Sequence, residues 1–192
     1  MILVPEHIRG LIFDCDGTLV DSMPLHWECW HETFAAFGAT CPHEFLDELK
    51  GVPTDGIISR YNARFGTTID VWQFTEAKEE RAREKLLTVK PIPVVTDVVE
   101  RYRGKLPMAV ASGGPNATVT LSLRVIGLLD RFQTVVTADD PVKPKPSPDI
   151  FLEAARRLGV APEQCQVFED GDLGIQAALE AGMIATDIRE YL

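Results

Sequence analysis

From residue 90 onward, short β-branched runs alternate with stretches of helical periodicity, the pattern of βα units that build a parallel sheet. The runs read as strands are Met108–Ala111, Thr134–Thr137, Gln166–Phe168 and Ile184–Ile188. Between them, helical patterns run from Pro115 to Ile126, from Pro148 to Leu158 and from Leu173 to Ala181. Each ends at a glycine (Gly127, Gly159, Gly182) placed where a left-handed C-cap belongs. Near the start, Leu11–Phe13 is an apolar run closed by Asp14 and the turn-forming pair Asp16-Gly17, which predicts a further buried strand. The pattern predicts an α/β fold with a doubly wound, Rossmann-like parallel sheet.

Between that first strand and residue 90 the period changes. Trp27, Trp30, Phe34 and Phe37 recur every three or four residues up to Gly38, and Ile57, Ile58, Tyr61 and Phe65 repeat the pattern up to Gly66. Val71 to Leu87 is rich in Glu, Lys, Arg and Ala, which predicts a charged, exposed helix. The aromatic stripe is read as the core of a small helical cap. Two prolines in Val89-Lys90-Pro91-Ile92-Pro93 deny helix continuation and mark a return linker. The expected division is a discontinuous α/β core, residues 1–20 and 90–192, with a cap at 21–89.

Composition narrows the partners. The formal charge of −10 repels nucleic acid and anionic membranes, and no basic patch opposes it. No apolar run reaches the roughly 18–20 residues of a membrane span, and Met1–Arg9 lacks a basic, then apolar, leader pattern. Cys15, Cys29, Cys41 and Cys165 fall in no metal-binding spacing and suit a reducing compartment as packing residues. A cytoplasmic protein, a monomer, is expected.

In an open parallel sheet, ligands bind beyond the carboxyl ends of the strands. The residues there are Asp14-Cys15-Asp16-Gly17-Thr18, Ser112-Gly113-Gly114, Asp139-Asp140 leading to Lys143 and Lys145, and Glu169-Asp170-Gly171-Asp172. Two like charges about 4 Å apart repel by roughly 4 kcal/mol at an effective dielectric near 20, so Asp14, Asp16, Glu169 and Asp170 require a cation among them. Oxygen ligands without paired histidine or cysteine favour Mg²⁺. A lysine and a hydroxyl beside such an ion suit phosphoryl transfer, which is catalysed mainly by positioning and charge neutralisation.

The stretches Asp14-Cys15-Asp16-Gly17-Thr18-Leu19-Val20-Asp21-Ser22, Ala111-Ser112-Gly113, Lys145-Pro146-Ser147-Pro148-Asp149 and Phe168-Glu169-Asp170 resemble, in order, the four motifs of the haloacid dehalogenase-like phosphohydrolases. The helical insertion after the first motif is similar to the small cap of the branch that contains β-phosphoglucomutase and related phosphatases. The resemblance implies that Asp14 attacks phosphorus to form an aspartyl phosphate, and that Asp16 protonates the leaving alcohol and then activates water. It also implies that Asp14, the backbone carbonyl of Asp16, and Asp170 hold Mg²⁺. Ser112 and the amides after it, Gly113 included, would receive phosphate oxygens, and Lys145 would neutralise developing charge. Glu169 would order a metal-bound water or Lys145. An aspartate with a reference pKa near 3.9 is a poor acid at pH 7, so Asp16 needs a raised pKa or a proton gained with the substrate.

Some positions carry two readings. Lys143 competes with Lys145, but the Lys-Pro-x-Pro-Asp spacing of the family begins at Lys145, leaving Lys143 a solvated loop charge. Asp172 is read as the N-cap of the helix beginning at Leu173, and Cys15 as packed away from the site. In the cap, His26, Lys50, Thr54 and Lys78 match substrate-facing positions of the resembled branch, while both lysines suit solvated charges equally well. His31 stands about 140° around the helix from His26, so the two share no metal. The mutase carries an arginine three residues after the cap-loop glycine to grip a second phosphate, where this chain has Thr54.

The reading is therefore a Mg²⁺-dependent phosphatase acting on a small phosphorylated sugar. Gly51-x-Pro53-Thr54, Glu169-Asp170-x-Asp172 and the short chain are similar to the short phosphatases of fructose 1-phosphate and 6-phosphogluconate. The alternatives are a β-phosphoglucomutase and, from another class, a receiver-like signalling domain or a non-catalytic phosphate-binding module. A receiver would accept phosphate without releasing alcohol from a sugar ester.

Overall fold

The computed structural model describes residues 1–192. Five parallel strands, β1 (Gly10–Phe13), β2 (Met108–Ala111), β3 (Thr134–Val136), β4 (Cys165–Glu169) and β5 (Ile184–Asp187), stand in the order β3-β2-β1-β4-β5. Leu11 is in register with Met108 on one side and Gln166 on the other. Strand β1 is central and fully buried, as expected of a strand covered on both faces.

Successive side chains point to opposite faces, so β1 contributes to two cores. Leu11 and Phe13 join Met108, Val110 and Phe168 beneath the helices α5 (Pro93–Tyr102) and α6 (Asn116–Val125). Ile12 joins Ala109, Ala111 and Val167 against α7 (Asp149–Leu158) and α8 (Asp172–Glu180). The rings of Phe13 and Phe168 stack 4.6 Å apart across adjacent strands. Because β1 is flanked by β2 on one side and β4 on the other, the crevice at its carboxyl end lies where the strand order reverses, the usual ligand site of such sheets.

The segment between β1 and α5 forms helices α1 (Met23–Ala36), α2 (His43–Asp47), α3 (Thr54–Phe65) and α4 (Val71–Lys85), which enclose a core of their own. Trp30, Phe34, Phe45, Tyr61 and Phe74 are buried in it, while Trp27 and Phe37 are half-buried against it and Phe65 is exposed. The chain leaves and re-enters the α/β layers through adjacent segments joined by an antiparallel bridge: the Asp21 amide donates to the Lys90 carbonyl and the Ile92 amide to that of Leu19. No helix is long and apolar enough to cross a membrane.

Three expectations change. The β-branched stretch Val94–Val99 has no element in the sequence reading, yet it forms α5, because Pro93 opens a helix and Val95, Val98 and Val99 then face the sheet. Helix α4 is not exposed throughout: Phe74, Lys78 and Ala82, four residues apart, are buried, and Glu79 with them. The N-cap of α8 is Gly171, not Asp172. Asp172 is the first helical residue, mostly exposed, and pairs with Arg189 at 2.7 Å.

Candidate active site

The first turn after β1 is built around one carbonyl. The amides of Thr18, Leu19 and Val20 all donate to Cys15 O, and Gly17 takes φ +84° to let the chain reverse. The side chain of Cys15 goes into the core, as expected. A Cβ at Gly17 would also lie 2.4 Å from Asp170 Oδ2, so glycine is required here for space as well as for conformation. The turn leaves the Asp16 carbonyl without a backbone donor.

Asp14, Glu169 and Asp170 are buried, and one oxygen of each lies within 4.8 Å of the others. Lys145, fully buried, donates at 2.6 Å to Asp14 Oδ1 and at 2.6 Å to Glu169 Oε1. Glu169 Oε2 accepts from the Gly171 amide at 2.7 Å, and Asp170 Oδ1 from the Thr18 hydroxyl at 2.9 Å. Lys143 is exposed, which leaves Lys145 as the lysine of the site.

The fourth carboxylate, Asp16, is not in this cluster. Its Oδ1 turns toward the helical insertion, accepting from Ser22 Oγ at 2.6 Å and lying 3.1 Å from His26 Nε2. Three acids therefore converge rather than four, and the cation that pairs with two of them is Lys145.

The charges do not balance. Three carboxylates against one ammonium leave the cluster formally two negative charges in excess. Burial raises the Asp14 pKa well above the carboxylate range. Lys145 opposes that shift, while Glu169 and Asp170 add to it. Burial and Glu169 push Asp170 up to about 7 against the pull of Thr18, Lys145 and Lys50. An oxygen-only donor set with that excess fits a divalent cation such as Mg²⁺. Asp16 behaves in the opposite way: burial would raise it, yet the charge and hydrogen bond of His26, the Ser22 hydroxyl and the Lys78 charge bring it to about 2. To serve as an acid, Asp16 would then need the second of the two expected routes, a proton gained with the substrate.

Opposite the cluster, the insertion supplies the loop Lys50–Gly51 between α2 and α3. Gly51 sits on Lys145, and its carbonyl lies so near Gly113 that a Cβ there would come within 2.2 Å of it. Between the two parts lies a cavity lined by Asp14, Asp16, Glu169 and Asp170, by Ser112 and Gly113 from the core, and by His26, Lys50, Thr54 and Lys78 from the insertion. Lys50 pairs with Asp47 at 3.1 Å, and Lys78 with Glu79 at 2.9 Å. Neither lysine is a freely solvated charge.

Sequence reasoning missed several residues of this site. Ser22 holds Asp16, Trp27 and Trp30 line the cavity, and Glu79 joins Thr54 to Lys78. Gly174 is the least visible: a Cβ there would lie 1.8 Å from Glu169 Oε1. Gly174→Ala should push Glu169 off Lys145, lowering stability by about 1–3 kcal/mol as overpacking does and turnover by about 10²-fold as small misplacements do. Paired melting and rate measurements test this, and an alanine variant as active and stable as the parent would contradict it.

Residues 11–187 match the family model of haloacid dehalogenase-like hydrolases. The chain is 42% identical over 185 residues to the fructose-1-phosphate phosphatase YqaB of Escherichia coli, covering 96% of this chain and 98% of that protein. It is 27% identical to a β-phosphoglucomutase of Bacillus subtilis, over 94% of this chain and 83% of the other. The crystal structure of CbbY from Rhodobacter sphaeroides in complex with phosphate superposes with a TM-score of 0.82 at 27% identity, over 93% of this chain and 84% of that one. With a matched segment that spans all five strands and the site at their ends, the chain belongs to the haloacid dehalogenase-like hydrolases, in the branch of the β-phosphoglucomutases and related phosphatases.

Proposed function

We propose that the protein is a Mg²⁺-dependent phosphatase of a small sugar phosphate, of the fructose 1-phosphate or 6-phosphogluconate type, working through an aspartyl phosphate on Asp14. The observation that carries this reading is the state of Asp14: Oδ1 is fixed by Lys145, while Oδ2 has no hydrogen-bond partner in the protein and the residue lines the cavity. A carboxylate held by one oxygen presents the other as a nucleophile.

Asp14 Oδ2 attacks phosphorus, and the bond from phosphorus to the sugar oxygen breaks. The departing oxygen takes a proton from Asp16, which hydrogen-bonds His26 and Ser22 and so stands on the insertion side, where the sugar would lie. In the second half, water attacks the aspartyl phosphate and gives its proton to Asp16, so that Asp14 is regenerated and inorganic phosphate leaves. Ser112, whose Oγ accepts from the Gly114 amide at 3.1 Å, and the Gly113 amide receive the phosphate oxygens, and Lys145 balances the charge that develops on them. Mg²⁺, held by Asp14, Asp170 and the free carbonyl of Asp16 with Glu169 at its rim, would supply charge neutralisation of the phosphoryl group. The helical insertion, residues 21–89, acts as a cap that closes over the sugar and excludes bulk water, with His26, Lys50 and Lys78 toward the substrate.

The identity to a fructose-1-phosphate phosphatase supports hydrolysis over isomerisation. So does Thr54, which is buried and donates to Glu79, offering a second phosphate no cation. The protein should release phosphate from fructose 1-phosphate and leave β-glucose 1-phosphate unisomerised. Alanine at Lys50 or Lys78 should lower kcat/KM for the sugar phosphate by about tenfold or more, beyond any loss for a small aryl phosphate. Conversion of β-glucose 1-phosphate to glucose 6-phosphate without free phosphate would assign the mutase reaction instead.

A further inference from the structure

We infer that Glu79 reads the far end of the substrate: the site takes a phosphomonoester whose remainder is an uncharged polyol, one hydroxyl of which donates to Glu79 Oε2, and it rejects a substrate bearing a second anion there. The inference rests on the phosphatase reading and selects between its two substrate types, the neutral sugar over the sugar acid.

Glu79 stands on α4 inside the cavity, with its side chain 9% exposed. Its Oε1 accepts both the Thr54 hydroxyl at 2.8 Å and the Lys78 ammonium at 2.9 Å. Its Oε2 is buried with no partner at all. Burial opposes ionisation, but the Lys78 charge, the hydrogen bonds from Lys78 and Thr54, and the His26 charge outweigh it, so the carboxyl stays below its ordinary range. An ionised, buried oxygen without a donor is costly, and a bound group that supplies one removes the cost. A simple structural role, neutralising Lys78, uses Oε1 and leaves Oε2 unexplained.

The charges around the cavity point the same way. Both lysines the insertion contributes to the cavity are already engaged by carboxylates, Lys50 with Asp47 and Lys78 with Glu79, and the His26 ring lies 3.1 Å from Asp16. Lys78 also lies over the Trp30 ring, 5.3 Å from its centroid. A second phosphate or a carboxylate arriving on this side finds no uncommitted positive charge. It would set its own acceptors against Oε2. Hydroxyls supply the donor that is missing, and a site built around a substrate hydroxyl discriminates strongly against analogues that cannot make that bond.

The test compares fructose 1-phosphate with fructose 1,6-bisphosphate and 6-phosphogluconate, with Mg²⁺ present, in the parent protein and in Glu79→Gln. The parent should prefer fructose 1-phosphate in kcat/KM by about tenfold or more, and Glu79→Gln, whose amide can donate to an anion, should shrink that preference by about tenfold. A preference in Glu79→Gln within about twofold of the parent value overturns the inference. Calorimetric binding to Asp14→Asn, in which Glu79 is intact, provides a second reading that needs neither turnover nor a folded Glu79 variant. There fructose 1-phosphate should bind about tenfold more tightly than the bisphosphate, and equal or tighter binding of the bisphosphate overturns the inference. A parent protein that releases no phosphate from any of the three sugars would refute the phosphatase reading alone, and the binding preference would still decide the role of Glu79.

Discussion

Asp14→Asn should leave a folded protein that releases no phosphate. The amide has the shape of the acid but no nucleophilic oxygen, and loss of a covalent nucleophile typically costs about 10⁴-fold or more. Background hydrolysis cannot mask the loss, because uncatalysed phosphomonoester hydrolysis is among the slowest reactions that enzymes accelerate. Stability should move the other way. The folded-state pKa of Asp14 is raised by burial, against Lys145 and with Glu169 and Asp170. A carboxyl whose pKa is higher folded than unfolded loses stabilisation as pH rises above the unfolded value near 3.9. At pH 7 without metal, the asparagine variant should therefore melt at or above the parent temperature. Turnover near that of the parent, in protein free of contaminating phosphatase, would exclude Asp14 as nucleophile.

Removal of divalent metal should abolish activity as completely, and Mg²⁺ should restore it. The reason is the two-charge excess on Asp14, Glu169 and Asp170, which Lys145 alone does not offset. Asp170→Ala should raise the Mg²⁺ requirement sharply, and Ca²⁺, with longer bonds and looser coordination, should substitute poorly. The pH dependence has a definite sign. Burial and Glu169 push Asp170 up to about 7, burial raises Asp14 as well, and carboxylates that hold a metal must be deprotonated, so for the proposed site apparent Mg²⁺ affinity should climb as pH rises through neutrality. Saturating metal should also raise the melting temperature, by the equivalent of roughly 2.7 kcal/mol at a hundred times Kd. Full activity in excess chelator would rule out the mechanism.

The parts of this molecule legible in the sequence are those governed by near neighbours. Short apolar runs marked the central strands because β1, β2 and β4 are buried on both faces, and glycines 127, 159 and 182 marked helix ends because only a left-handed residue closes them cheaply. Asp14-x-Asp16-Gly17 was legible because a tight turn after a buried strand must expose its polar residues together. What escaped depends on partners far along the chain. The run of charges around Lys78 and Glu79 looks solvated until α1 and α3 close over it. Asp16 looks like a fourth member of the acidic cluster until Ser22 and His26 draw it away. Gly174 looks like an indifferent helical glycine, and its reason is a side chain that reaches it from β4.

The meeting of Gly113 with the Gly51 carbonyl has a mechanical consequence. Two stretches of bare main chain abut there, with no side chain between them to yield by changing rotamer. Such a contact is a hard stop, and the gap left behind it has one depth. In the proposed phosphatase, substrate length would be gauged against a fixed depth, as a rod is by a caliper, rather than accommodated by a soft wall. A methyl group added at position 113 would act as a shim, holding the jaws apart by a constant amount whatever lies between them. Size and chemistry would be disturbed together, since Gly51 also rests on the Lys145 side chain and Gly113 directly follows Ser112.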